Sequence, residues 1–210
     1  MGACQAPAAL VVQPGGPAQE SGGAQMSELP PPSGALPPAS DDEAEVEVLE
    51  GPGEPAVLLR RPRGRPLSIN ARMQQRCRQH RGAIERASAQ TGTDPLLLLA
   101  IAWIESGFNP FAESPAGARG ILQLVPRTSA HMGCRDPGDP YCAGIAAAAY
   151  LKWLLRQFDG RLVYALCAYH SGHVAPMRAF RAGVLPNNVG YAHRVLEARS
   201  RLQRFGCDGR

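Results

Sequence analysis

The chain has 210 residues, enough for one domain of ordinary size, and a formal net charge of +4. Residues 1–60 carry a net charge of −8 and residues 61–210 one of +12, so an acidic segment precedes a basic body. No run of about 18 apolar residues occurs, which argues against a transmembrane helix. The six Cys form no CxxC pair and have no His at a zinc-like spacing, so no metal site or cofactor is expected.

The first 60 residues hold ten Pro and eight Gly and almost no periodic apolar pattern. Such a segment buries too little surface to offset its ordering entropy, so we predict a disordered lead over residues 1–65 and a folded domain over residues 66–210. The run RRPRGRP, Arg60–Pro66, closes this lead, as either a solvated linker or a contact with an anionic polymer. The opening MGACQAPAALVV has no basic n-region and no full apolar h-region, so the sequence shows no export route.

The body is predicted to be helical throughout. Asp94 and Pro95 form a typical helix start, an N-cap acid followed by proline at the first helical position. The alanine-rich run AGIAAAAYLKWLLRQFDG, 143–160, favours close helix packing and ends at Asp159–Gly160. The predicted helices cover residues 72–90, 95–106, 126–132, 143–158, 161–169, 175–182 and 188–204.

Four of the cysteines suggest disulfides. Cys134 and Cys142 flank the turn-rich loop RDPGDPY and are candidates for a local bond, which would imply an oxidising compartment. Cys77 and Cys207 lie near the two ends of the body and could also pair. Cys167 sits in the apolar run LVYALCAY and is interpreted as a buried thiol.

Glu105 is an ionisable acid at the end of the most apolar segment of the chain, LLLLAIAWIES. On a helix it shares a face with Leu98, Ile101 and Ala102, all of them apolar. Loss of hydration there favours a protonated carboxylic acid, which can act as a general acid. The alternative is an ordinary acid that points into solvent, although an acid at a helix C-terminus opposes the helix dipole.

Four ordered sequence blocks surround or follow Glu105. They are Glu105-Ser106 with Phe108-Asn109-Pro110, then Ser114-Pro115 with Gly117-Ala118 and Gly120-Ile121-Leu122-Gln123, then Ala168-Tyr169-His170-Ser171-Gly172, and finally Asn188 with Tyr191-Ala192. Residues 94–200 thereby resemble the catalytic domain of the soluble lytic transglycosylases, which have a mainly α, lysozyme-like fold.

The resemblance implies the roles of individual residues. Glu105 would be the sole catalytic acid and base, and the loop glycines Gly117 and Gly120 would let the backbone approach a glycan. The residues expected to contact the substrate are Ser114, Gln123, Tyr169, His170 and Tyr191. Tyr169 could instead be only a core aromatic, and Ser106 is expected to orient the helix end.

His170 departs from the family, which has Asn at this position. Neutral His can donate and accept hydrogen bonds as Asn does, but with a different reach, and it can become charged. The departure leaves the acid in place and puts the substrate contacts and the pH response in question.

The resemblance implies a peptidoglycan lytic transglycosylase that cleaves the MurNAc–GlcNAc β-1,4 bond and forms 1,6-anhydro-MurNAc. Two alternatives stay open: a hydrolytic muramidase of the goose-lysozyme kind, and a non-catalytic module for wall binding or secretion assembly. The expected partners are peptidoglycan glycan strands. A secretion or conjugation apparatus is a possible further partner, and nucleic acid is not expected. The expected location is the periplasm, the cell envelope or outside the cell.

Overall fold

The computed structural model describes residues 45–49, 57–61 and 67–208, with backbone alone for the first two ranges. The predicted mainly α architecture is confirmed in residues 67–208. The strands are β1 (Glu45–Leu49) and β2 (Val57–Arg61). The helices are α1 (Ala71–Thr91), α2 (Pro95–Ser106), α3 (Pro126–His131), α4 (Pro140–Gln157), α5 (Leu162–Ser171), α6 (Val174–Arg181) and α7 (Val189–Phe205), followed by a 3-10 turn at Gly206–Asp208.

The two strands form an antiparallel ribbon inside the segment that was predicted to be a disordered lead. Glu45 lies opposite Arg61, and Leu49 lies opposite Val57. The sequence analysis did not predict this ribbon, although alternating Glu and Val before a Gly- and Pro-rich connection is typical of a hairpin. The rest of the predicted lead, and its boundary at residue 65, lie outside the described residues.

Helix α2 begins as its sequence predicts. The Asp94 side chain accepts a hydrogen bond from the Leu96 backbone N–H at 2.9 Å, and Pro95 occupies the first helical position. The same carboxylate accepts a hydrogen bond from Nε of Arg199 on α7 at 2.6 Å. One capping residue therefore starts α2 and also ties α7 to it.

Helix α2 is the centre of the core. Every residue from Leu97 to Trp103 is buried, and α1, α4 and α7 all contact this helix. Helices α1 and α4 approach each other closely because Gly144 faces Ala87: a Cβ at Gly144 would lie 2.7 Å from that of Ala87. Among the described residues, no helix combines the length and apolar character that crossing a membrane would require.

Helix α4 begins earlier than predicted, at Pro140 rather than at residue 143. Asp139 caps it, because its side chain accepts a hydrogen bond from the Cys142 N–H at 2.6 Å. This Asp-Pro start repeats the pattern at Asp94–Pro95. Cys142 therefore lies in the first turn of α4 rather than in a loop.

Two disulfides fasten the described domain. Cys77 on α1 is joined to Cys207 in the 3-10 turn, and Cys134 is joined to Cys142. The bonds close segments with sequence separations of 130 and 8 residues. Cys167 is a free, buried thiol, and burial raises its pKa to about 12.

The two disulfides should differ in their effect on stability. The chain-entropy model gives about 5 kcal/mol for a loop of the Cys77–Cys207 length and about 2.5 kcal/mol for the Cys134–Cys142 loop, because the longer loop restricts the unfolded chain more. We expect the Cys77→Ser/Cys207→Ser variant to lower the free energy of unfolding more than the Cys134→Ser/Cys142→Ser variant in urea titrations. Equal losses would contradict this ranking.

Candidate active site

Glu105 lies at the C-terminal end of α2, one residue before the helix finishes at Ser106. Leu98, Ile101 and Ala102, which share its helix face, are fully buried. Only 12% of the Glu105 side chain is exposed. The carboxyl group is therefore held in a largely water-free position, as its place in the sequence predicts.

Two aromatic side chains from other helices meet this carboxyl group. The Tyr191 hydroxyl on α7 donates a hydrogen bond to Glu105 Oε1 at 2.6 Å. His170 Nδ1 on α5 lies 3.7 Å from the same oxygen. The His170 and Tyr191 rings stack, with centroids 4.3 Å apart and planes 12° from parallel. The fold thus brings Glu105, His170 and Tyr191 together from three helices.

Tyr191 is a stable hydrogen-bond donor to the acid. Burial raises its pKa well above the usual tyrosine value, and the charge and hydrogen bond of Glu105 raise it further. The phenol therefore keeps its proton throughout the pH range in which a carboxyl group or an imidazole titrates. With a donor fixed at Oε1, a proton added to Glu105 would be carried by Oε2.

Tyr169 on α5 is buried in the core. Its ring is 1% exposed, and its hydroxyl donates to the Leu122 carbonyl at 2.8 Å. Burial raises its pKa well above the usual value, and the Glu105 charge adds to the effect. This placement fits the alternative of a core aromatic, and a contact between Tyr169 and the substrate stays a prediction. Tyr169 connects α5 to the segment that follows the glycine-rich loop.

Ser106 fixes the helix end on which Glu105 stands, as the sequence analysis expected. Its hydroxyl donates to the Ile121 carbonyl at 2.8 Å and accepts from the Asn109 backbone N–H at 3.1 Å. One side chain therefore joins the end of α2 to the start and to the far end of the following loop. These bonds hold both ends of the loop against the end of α2 that carries Glu105.

The polar residues of the loop are engaged within the loop itself. Ser114 Oγ accepts a hydrogen bond from the Ala118 N–H at 3.0 Å. Gln123 Nε2 donates to the carbonyls of Ala112 and Gly120, at 3.1 and 2.9 Å. With both amide hydrogens used in this way, a contact between Gln123 and a glycan would use its carbonyl oxygen. Substrate binding by Ser114 and Gln123 stays a prediction.

The two loop glycines serve different purposes. Both have positive φ, 77° at Gly117 and 75° at Gly120. A Cβ at Gly120 would lie 1.8 Å from the Pro137 carbonyl oxygen, so this glycine is required by the disulfide-closed loop packed against it. A Cβ at Gly117 would meet no atom within 4 Å, so approach of a glycan there stays a prediction.

Asn188, at the N-terminus of α7, is a residue whose role the sequence analysis did not assign. Its Nδ2 donates to the Cys167 carbonyl at 2.9 Å and to Ser171 Oγ at 3.1 Å. These bonds tie the end of α5, which carries His170, to the start of α7, which carries Tyr191. The spacing of three residues between Asn188 and Tyr191, about one helical turn, is the sequence signal that points to this role.

Metal ligation finds no support in the described ranges, where no three His, Cys, Asp or Glu side chains are grouped closely enough to hold an ion. The chemistry available at the site is that of one sheltered carboxyl group with a phenol donor and an imidazole beside it. Such a group can give a proton to a leaving oxygen and take one back.

The comparison with protein families identifies the domain. The model named Transglycosylase SLT domain matches residues 82–183, which include Glu105, the glycine-rich loop and His170. The chain contains a transglycosylase SLT domain. Tyr191, which donates to Glu105, lies beyond the matched residues.

Curated relatives of the SLT domain support the same family. The chain is 35% identical over 146 residues to a protein named membrane-bound lytic murein transglycosylase F from Desulfosudis oleivorans, covering 67% of this chain and 28% of that protein. It is 42% identical over 82 residues to the protein of the same name from Haemophilus influenzae strain PittGG, covering 36% of this chain and 17% of that protein. The chain therefore spans less than a third of the length of these relatives.

A solved structure shows the same fold. The 70 kDa soluble lytic transglycosylase SLT70 from Escherichia coli superposes with a TM-score of 0.51 at 24% identity, covering 61% of this chain and 24% of that one. At this identity the likeness concerns the fold alone. The predicted lysozyme-like helical domain is confirmed.

The packing at Gly120 leads to a prediction with a built-in control. Gly120→Ala should displace the loop or the Pro137 segment, because the new methyl group would overlap the Pro137 carbonyl. We expect a loss of stability of about 2 kcal/mol or more in urea titrations, whereas Gly117→Ala should cost about 1 kcal/mol from its backbone conformation alone. Equal stability of the two variants would contradict the packing role of Gly120.

Proposed function

We propose that the SLT domain of this chain cleaves the β-1,4 glycosidic bond between MurNAc and GlcNAc in peptidoglycan, with Glu105 as the only catalytic carboxyl group. The observation that carries the proposal is the Glu105 carboxyl group itself, 12% exposed, hydrogen-bonded by Tyr191 and lying within the SLT match. The names of the relatives, lytic murein transglycosylases, support the choice of substrate.

A single-carboxylate mechanism suits the acidic residues around the site. Most glycosidases use two carboxyl groups, one as acid and one as nucleophile or base. Glu113, the acid nearest to Glu105 along the chain, is 57% exposed and pairs with Arg119 at 3.0 Å. Asp94 caps α2 and bonds Arg199. Each of these two carboxylates is engaged elsewhere in the structure.

The reaction then proceeds in two proton transfers. Glu105 Oε2 donates its proton to the glycosidic oxygen, the bond from C1 to that oxygen breaks, and C1 becomes oxocarbenium-like. The Glu105 carboxylate, stabilised by the Tyr191 O–H at Oε1, next accepts the proton of the C6 hydroxyl of the same sugar. O6 attacks C1 and closes the 1,6-anhydro ring. Glu105 is protonated again, and no water is consumed.

The wall substrate also suggests where the domain works. We propose the periplasm or another part of the cell envelope, where peptidoglycan is found. The two disulfides fit an oxidising compartment. The basic body, with a net charge of +12 over residues 61–210, suits an anionic wall polymer. Service to a secretion or conjugation machine stays a prediction of the sequence analysis.

Replacing the acid tests the proposal. Glu105→Gln is nearly isosteric but cannot donate an acidic proton, so we expect release of soluble fragments from purified peptidoglycan to fall at least about a hundredfold. Glu113→Gln is the matched control and should retain turnover. Thermal unfolding of both variants shows whether the fold is kept. Turnover by a folded Glu105→Gln variant would refute the role of Glu105.

The same digestion separates the alternative functions by product mass. A lytic transglycosylase releases fragments with anhydro-MurNAc ends, whereas a hydrolytic muramidase adds one water to each product. Mass spectrometry of the fragments distinguishes the two. A wild-type protein that binds peptidoglycan and releases nothing would favour the non-catalytic module.

The proposed domain boundary gives a further expectation. A chain that starts near Arg65 should cleave a soluble glycan fragment as fast as the full chain, because every contact described at Glu105 comes from residues after it. Steady-state rates of the two proteins at equal concentration test this. If the shorter chain has no turnover, the catalytic domain needs residues before Arg65 and the proposed boundary is wrong.

A further inference from the structure

His170 is the feature of the site that the proposed reaction does not use. Its Nδ1 lies 3.7 Å from Glu105 Oε1, and the side chain is 12% exposed, the same fraction as for Glu105. This distance is too long for a hydrogen bond, but a positive charge on the imidazole would attract the Glu105 carboxylate.

The imidazole is fixed in place beside the acid. Its ring stacks on the Tyr191 ring at 4.3 Å, which restricts rotation out of the site. The helix end that carries it is tied to α7 by Asn188, which donates to the Cys167 carbonyl and to Ser171 Oγ. The proximity of His170 to Glu105 is therefore set by two helices and does not depend on a mobile side chain.

The other ionisable groups around His170 keep one charge state while the imidazole titrates. On α7, Tyr191 is held neutral by a pKa well above the usual value, and Arg194, whose charge acts on Tyr191, stays positive. On α5, burial keeps Tyr169 neutral in the same way. On α2, the facing group is Glu105. Among these groups, His170 and Glu105 are the two whose charge these contacts do not fix.

Building on the proposed function, we propose that His170 is a second proton-binding group of the active site, and that its protonation switches off glycan cleavage on the acid side of the pH range. The active state holds one proton, on Glu105, with His170 neutral. If the same proton lies on His170 instead, Glu105 is a carboxylate with no proton to give, and the rate is lowered by a factor that does not change with pH. The loss of activity on the acid side comes from the uptake of a second proton.

The state with two protons is also disfavoured for catalysis. Glu105 then carries its proton, but an imidazolium stands beside a reaction centre at which positive charge develops on C1. Two positive charges close together in a sheltered site raise the energy of the transition state. Protonation of His170 therefore lowers the rate whether or not Glu105 is protonated.

The test is the pH dependence of kcat/KM on a soluble peptidoglycan glycan fragment, between pH 4.5 and pH 8. We expect wild type to lose activity on the acid side, approaching tenfold per pH unit, whereas His170→Asn and His170→Gln lack this limb. His131→Asn, which changes an exposed histidine on α3, is the matched control and should follow wild type. Profiles of wild type and His170→Asn that superimpose would overturn the proposal.

A second measurement does not depend on turnover. The NMR signal of the His170 ring should begin to titrate at lower pH in Glu105→Gln than in wild type, because the neutral amide no longer attracts the imidazolium. The His131 signal should titrate identically in both proteins. An unchanged His170 titration would overturn the proposal even if both His170 variants were inactive.

The two measurements also separate this inference from the proposed function. If wild type cleaves no glycan at any pH but Glu105→Gln alters the His170 titration, the shared proton stands and the proposed reaction fails. If wild type cleaves, His170→Asn has the same rate profile as wild type, and Glu105→Gln leaves the His170 titration unchanged, the proposed reaction stands and the switch fails.

Discussion

The hydrogen bond from Tyr191 to Glu105 is the contact on which the geometry of the site depends. Glu105 lies in the last turn of a helix in which every residue from Leu97 to Trp103 is buried, so water cannot solvate the carboxyl group fully. The phenol takes the place of that water at Oε1 and holds the side chain in one orientation. A carboxyl group without such a donor would be destabilised or would turn out of the core.

The need to place Tyr191 explains several contacts elsewhere. Helix α7 is fastened to the start of α2 by the Arg199–Asp94 bond and to the end of α5 by Asn188. These two connections hold α7 at Asn188 and at Arg199, about three helical turns apart, and Tyr191 lies between them. The same connections bring His170 to within 3.7 Å of the acid. A histidine here is therefore forced into the neighbourhood of Glu105 by the helix packing.

The loop after α2 is supported from outside the site. Ser106 binds both of its ends to the helix, and Gly120 packs directly against the carbonyl of Pro137. Pro137 lies in the segment that the Cys134–Cys142 disulfide closes. Closing that segment limits the positions that Pro137 can take, and so limits those of the loop. Rigid support of this kind lowers the entropy that substrate binding has to remove.

Local rules of the sequence determined much of the domain. The Asp-Pro start placed α2 correctly, and the apolar run before Glu105 marked the sheltered acid, because capping and burial follow from neighbouring residues. The same Asp-Pro start at Asp139–Pro140 also begins α4, and the alternating residues of β1 are typical of a strand. Tertiary packing decided what the sequence left open: that Tyr169 supports the core, that Gly120 makes room for Pro137, and that Tyr191 reaches Glu105. Those outcomes depend on how helices far apart in the chain meet, and no local pattern of residues encodes that distance.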